Sequence, residues 1–172
     1  LQNRYDGEAR HAEIVYDYEG RTSMVKCYGS NFDDVKFRAH IVDKPYVCIV
    51  RPKEDISWVS NGVVNEVKES LETNGKIRYD FAGMINASVN AFLSKITFGL
   101  YEKKRIFSES DVFYCSELAV FITQKSYRKI GKQLSITDSM GREIKTAVVS
   151  PSDIYRNAKE NKAFEIIKDF EL

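Results

Sequence analysis

Residues 12–29 read AEIVYDYEGRTSMVKCYG, two runs dense in β-branched and aromatic side chains separated by Glu19-Gly20-Arg21. Such side chains suit a pleated, half-buried surface, and the glycine gives the backbone the freedom of a tight turn. The stretch therefore predicts a β-hairpin with strands over 12–18 and 23–29. Just beyond it, SNFDD (30–34) is a turn cluster suited to capping a short helix. PYVCIVRP (45–52), an apolar run closed by proline, predicts a buried strand that brings the same sheet to at least three.

From there the period of the apolar residues changes. Ile56, Val59, Val63, Val64, Val67 and Leu71 recur at helical spacing, with acids at the start and Asn74-Gly75 as the stop, which predicts a helix of about five turns. YDFAGMINASVNAFLSKITFGLYEKK (79–104) reads as a second long helix, with small residues on one side for close packing. Its Phe92, Phe98 and Tyr101, together with Trp58 of the first helix, read as core or groove lining. After a polar break at 108–111, helical spacing resumes at Cys115, Leu118, Ala119, Phe121 and Ile122 and ends at Gly131. Ser150, Pro151 and Ser152 precede a short helix, and FEIIKDF (164–170) alternates as a final strand. Strands, then helices, then a returning strand make an α+β chain, a single domain over 1–172.

Composition narrows the function. The 172 residues, 43% hydrophobic and 12% aromatic, suffice for one substantial core. Lys and Arg total 26 against 25 Asp and Glu and are scattered, so no nucleic-acid footprint exists. No apolar run approaches the roughly 20 residues that cross a bilayer. The amino end, LQNRYDGEAR, has neither the basic start nor the apolar stretch of a signal peptide, which predicts a soluble chain. It opens on Leu1, as a chain would after removal of a leader, so a cytoplasmic and an exported location both stay open. Cys27, Cys48 and Cys115 cannot all pair and lack CxxC spacing, which favours reduced thiols. With only His11 and His40, a histidine-rich metal site is implausible, and no cofactor is implied.

Cys115 opens a helix, where unpaired amides and the helix dipole stabilise an anion. Position alone leaves two readings, an activated nucleophile or a small buried core residue. A nucleophilic thiol needs a base met in space. His11 stands at the mouth of the first strand and His40 in a connecting segment; the rigid strand positions a base better, which favours His11.

Taken in order, HAEIVYDYEGR with MVKCYG, YVCIVRPK, RYDFAGMI, FYCSELAVFI and SPSDIYRN resemble the blocks of the permuted papain-like amidase family. These are bacterial YiiX-type proteins, circularly permuted relatives of the NlpC-type cell-wall peptidases and of lecithin retinol acyltransferase. The resemblance runs from residue 11 to about 158, and its most specific pieces are YCSEL and HAEIV with the YD block between them. It implies a permuted papain-like (NlpC-like) fold, a small antiparallel sheet packed against a helical layer, with Cys115 as nucleophile and His11 as base. Tyr79 matches the tyrosine of the YD block, and its phenol would donate to an oxyanion beside the backbone N–H of Cys115. Asp80 reads as a helix cap, Glu117 as complementing the helix dipole, and Ser116 as satisfying first-turn amides.

The sequence departs from the family in two places. A strand with a Gly-Asp block normally precedes the histidine, and here ten residues precede His11. The third polar residue, usually Glu or His on the second strand, is Lys26, which carries only donors and cannot accept the second imidazole N–H. Either Glu13 or a backbone carbonyl takes that role, or the enzyme is weakened. The resemblance thus implies a cysteine hydrolase or acyltransferase acting on peptide, isopeptide or lipid acyl groups; the alternative is an inactive binding module of the same fold.

Overall fold

A computed structural model describes residues 14–18, 21–28, 31–36, 46–73, 85–86, 89–90, 92–93, 96–98, 100–101 and 115–171. Strands β1 (Ile14–Tyr18) and β2 (Arg21–Tyr28) form the hairpin that residues 12–29 predict, with Ile14 opposite Val25 and Tyr18 opposite Arg21. SNFDD does not cap a helix. Asn31–Lys36 form β3, antiparallel to β2, with Lys26 opposite Asp33 and Tyr28 opposite Asn31. The second edge of β2 needs partners for its backbone groups, and that requirement outweighs the turn preference of Asn and Asp.

The apolar run at 45–52 is also reassigned. It forms β4 (Tyr46–Pro52), which joins no hairpin strand; it pairs antiparallel with β5 (Phe164–Glu171) in a separate two-stranded sheet, with a register shift between Ile49 and Val50. Cys48, Ile49 and Val50 are half-buried, so the strand is not the fully buried one its composition suggests. A strand's own residues tell its period, whereas its partner depends on which edge the fold lays beside it.

Helix α1 (Ser57–Thr73) begins where the Asp55 carboxylate accepts from the Ser57 N–H at 3.0 Å and from the Ser57 hydroxyl. Val63, Val64 and Val67 are buried as the spacing predicts. Trp58 is 72% exposed and lines no core; it lies about 140° around the helix from Val63 at 3.6 residues per turn. Between 85 and 96 the described residues are helical, with Asn86 and Asn90 buried, and a turn at 97–98 interrupts the helix expected to run to 104. Phe92 and Phe98 are exposed there, so neither belongs to the core.

Helix α2 (Cys115–Lys129) is followed by Gly131 at φ +71°, with the Lys132 N–H on the Tyr127 carbonyl at 2.9 Å, the glycine-marked stop expected from the sequence. A short 3-10 turn (Thr146–Val148) leads to α3 (Pro151–Lys159), which ends near Asn161 at φ +51° and passes directly into β5. Helix α2 packs against α1, β2, the 3-10 turn and α3, while α1 also meets β1. Around it Val120, Tyr127, Leu134, Ile136, Val148, Ile154 and Phe164 close one apolar core. Burying each large aliphatic side chain contributes about 1.5–3 kcal/mol. Ile122, wholly buried, is a position where truncation to Ala costs roughly 2–5 kcal/mol. The result is α+β, and among the described residues no helix is long and apolar enough to cross a membrane.

Candidate active site

Cys115 is the first residue of α2 and is 5% exposed. Its neighbour, expected to serve first-turn amides, reaches another segment. The Ser116 hydroxyl donates to the Val149 carbonyl at 2.7 Å, and both residues are fully buried. Val149 immediately precedes Ser150, the N-cap of α3. The first turn of the cysteine helix is therefore stapled to the start of α3.

That start is itself fixed. The Ser150 hydroxyl accepts from the Asp153 N–H at 3.2 Å and donates to the Asp153 carboxylate at 2.8 Å, while the Ser150 N–H donates to the same carboxylate at 2.9 Å. This reciprocal capping box stands on Pro151, whose missing N–H costs nothing in the first turn. Arg156 pairs with the other carboxylate oxygen. Asn157, also buried, donates to the Thr137 carbonyl at 2.7 Å and accepts from the Thr137 N–H at 3.1 Å, pinning the preceding loop. The SPSD block, read from the sequence as a helix start, is a buried polar cluster that Val149 joins to the first turn of α2.

Glu117 is buried in the first turn. Two residues along an α-helix is a rotation of about 200°. The carboxylate thus leaves the helix on a different face from the sulfur, in keeping with a dipole-complementing role.

His11, Glu13 and Tyr79 lie outside the described residues, as do His40 and Asp80. What the structure provides is their surroundings. Strand β1 starts three residues after His11, pairs with β2, and β2 packs on the helix that Cys115 opens. Lys26 is in β2 at the ladder position opposite Asp33 of β3. Asp33, read from the sequence as part of a turn cluster, is thereby placed in a strand beside β2. Among the described residues no three His, Cys, Asp or Glu side chains gather as a metal site.

No known protein family, curated protein or solved structure matches the chain.

Proposed function

We propose that this chain is a papain-like cysteine hydrolase or acyltransferase of the permuted type. The observation that carries the reading is the placement of Cys115 at the first position of a helix whose buried opening turn is pinned by Ser116 to Val149. A pinned helix terminus holds a thiol against first-turn amides, where the dipole favours the thiolate.

In the proposed cycle the Cys115 sulfur attacks the carbonyl carbon of an amide or ester, and His11 takes the thiol proton. The tetrahedral oxyanion receives hydrogen bonds from the Cys115 backbone N–H and the Tyr79 phenol. Collapse breaks the bond to the leaving amine or alcohol, which takes the proton from His11, and leaves a thioester on Cys115. Water, or an acceptor nucleophile in a transferase, gives a proton to His11 and attacks the thioester carbon; collapse breaks the carbon–sulfur bond, releases the acyl product and returns the proton from His11 to the Cys115 sulfur. Glu13, or another acceptor, orients the imidazole. The substrate class is peptide, isopeptide or lipid acyl groups.

The test is to trap the thioester. Incubation with activated peptide and lipid esters should add one acyl mass to Cys115, lost in Cys115→Ala. His11→Ala should abolish the adduct and His40→Ala should leave it. Equal loss in both histidine variants would point to misfolding and sink the assignment of His11. A second reading, an inactive binding module of the same fold, rests on Lys26 at the position of the family's third polar residue. It predicts no adduct in the wild type.

A further inference from the structure

The stretch whose spacing suggests core lining turns outward. A turn at 97–98 follows the helical Ile96; Phe98 is 91% exposed, Leu100 is 74% exposed, and Ile96 is exposed beside them. Scattered exposed apolar residues are ordinary, whereas several large ones on a single tip mark a surface that something covers.

The tip is firmly built. The Thr97 N–H reaches the Leu93 carbonyl at 3.1 Å, and the Thr97 hydroxyl donates to that carbonyl at 2.7 Å while accepting from the Tyr101 N–H at 3.0 Å. The Leu100 N–H closes on the Thr97 carbonyl at 3.0 Å. From the other side Arg142 donates to the carbonyls of Leu100 at 3.1 Å and Tyr101 at 2.9 Å, and the Asp138 carboxylate holds the Arg142 guanidinium at 2.7 Å. Met140, exposed, rides on that same 138–142 turn. Arg142 thus sets the turn carrying Met140 beside the loop carrying Phe98 and Leu100. Phe98 adopts φ +51°, a left-handed conformation strained for a bulky side chain. The fold accepts that strain and keeps a phenyl ring in water.

Charge points to the occupant. From residue 95 to 105 the chain carries Lys95, Lys103, Lys104 and Arg105 against the single acid Glu102. The stretch is thus basic in sequence, and exposed aromatic and aliphatic side chains in a basic stretch suit the boundary between anionic headgroups and acyl chains. We propose that Ile96, Phe98, Leu100 and Met140 form an interfacial anchor that docks this protein onto an anionic lipid bilayer. The inference is independent of the catalytic proposal.

The test is co-sedimentation with vesicles of phosphatidylcholine and phosphatidylglycerol in equal parts, beside vesicles of phosphatidylcholine alone. The wild type should pellet with the mixed vesicles, less at raised salt, and weakly with phosphatidylcholine. Phe98→Ser with Leu100→Ser should lower partitioning about tenfold or more, with an unchanged circular dichroism spectrum and melting midpoint because both side chains are exposed. As a second readout, Phe98→Trp in a Trp58→Phe background should shift its emission to the blue on adding the mixed vesicles. Wild-type protein that stays in the supernatant, a double variant that pellets as well as the wild type, or an introduced tryptophan whose emission does not move each overturns the proposal. Self-association of the wild type that the double variant abolishes would assign the patch to a second copy and overturn it equally.

Discussion

The Ser116 hydroxyl and the Val149 carbonyl meet at 2.7 Å across 33 residues of chain, both wholly buried. The position of the Cys115 thiol therefore depends on the start of α3 as much as on its own helix. Ser116→Ala removes that donor, which should cost about 0.5–1.5 kcal/mol and lower the melting midpoint by a few degrees. An unchanged midpoint would show that the staple contributes nothing to the fold.

Thiol chemistry and thiol access make opposite forecasts here. Cys48, expected to be shielded, is half-buried, and Cys115 is buried. Access alone would direct iodoacetamide to Cys48, whereas an activated thiolate at the start of α2 should label first at neutral pH. Brief alkylation followed by mass spectrometry should find Cys115 modified ahead of Cys48 and Cys27. Labelling of Cys48 first would return Cys115 to the role of a small core residue.

Asp138 supplies a pH dependence. Burial pushes its carboxyl up, but the Arg142 N–H, the Arg142 guanidinium and the Met140 N–H together hold it below the ordinary aspartate value. A carboxyl depressed in the folded state contributes stability that is fully present above its unfolded value of about 3.9 and is lost as pH falls through the folded value. Asp138→Asn should therefore melt lower than wild type at neutral pH and lose less of its remaining stability on acidification. Parallel melting curves for the two proteins across that acid range would remove Asp138 as the cause.

Lys26 and Asp33 are ladder partners, so placing at 26 the acid that the resembled family usually carries has a side effect. Lys26→Glu alone sets two acids opposite each other, at a cost of about 0.2–1 kcal/mol. With Asp33→Asn the repulsion goes, and the double variant should alkylate at Cys115 faster than Asp33→Asn alone. No gain would mean that another acceptor already orients the imidazole.

The legible parts of the chain are those decided within a few residues. The β1–β2 hairpin follows from its glycine and β-branched runs, α1 from its valine spacing, the stop of α2 from Gly131, and α3 from Ser150-Pro151. The sequence does not disclose that Asn31–Lys36 zip onto β2, or that β4 leaves the hairpin sheet for β5, because both depend on edges supplied from elsewhere. Trp58 and Phe98 mislead for a related reason: hydrophobicity marks what a side chain prefers, and only the neighbours of a helix face decide whether it is covered. At the candidate site Cys115 is legible from its helix start. The Ser116–Val149 bond that ties its first turn to the start of α3 is written in neither segment, because it depends on how the two helices meet.

The β4–β5 ladder has a consequence for how the chain reaches this state. Arg51 and Glu165, joined across it, lie 114 residues apart, and closing so long a loop is among the slowest steps in assembling a fold. Helices α1, α2 and α3 all lie inside that loop, and the turn at Asn161, with the Lys162 N–H on the Asn157 carbonyl at 2.8 Å, couples β5 rigidly to α3. Docking of α3 under Ser116 therefore delivers β5 to the waiting edge of β4. During refolding, pulse labelling should find Cys48 protected last, after the hairpin and α2 have formed, and a chain halted before that moment carries an open strand edge ready to pair with its neighbours.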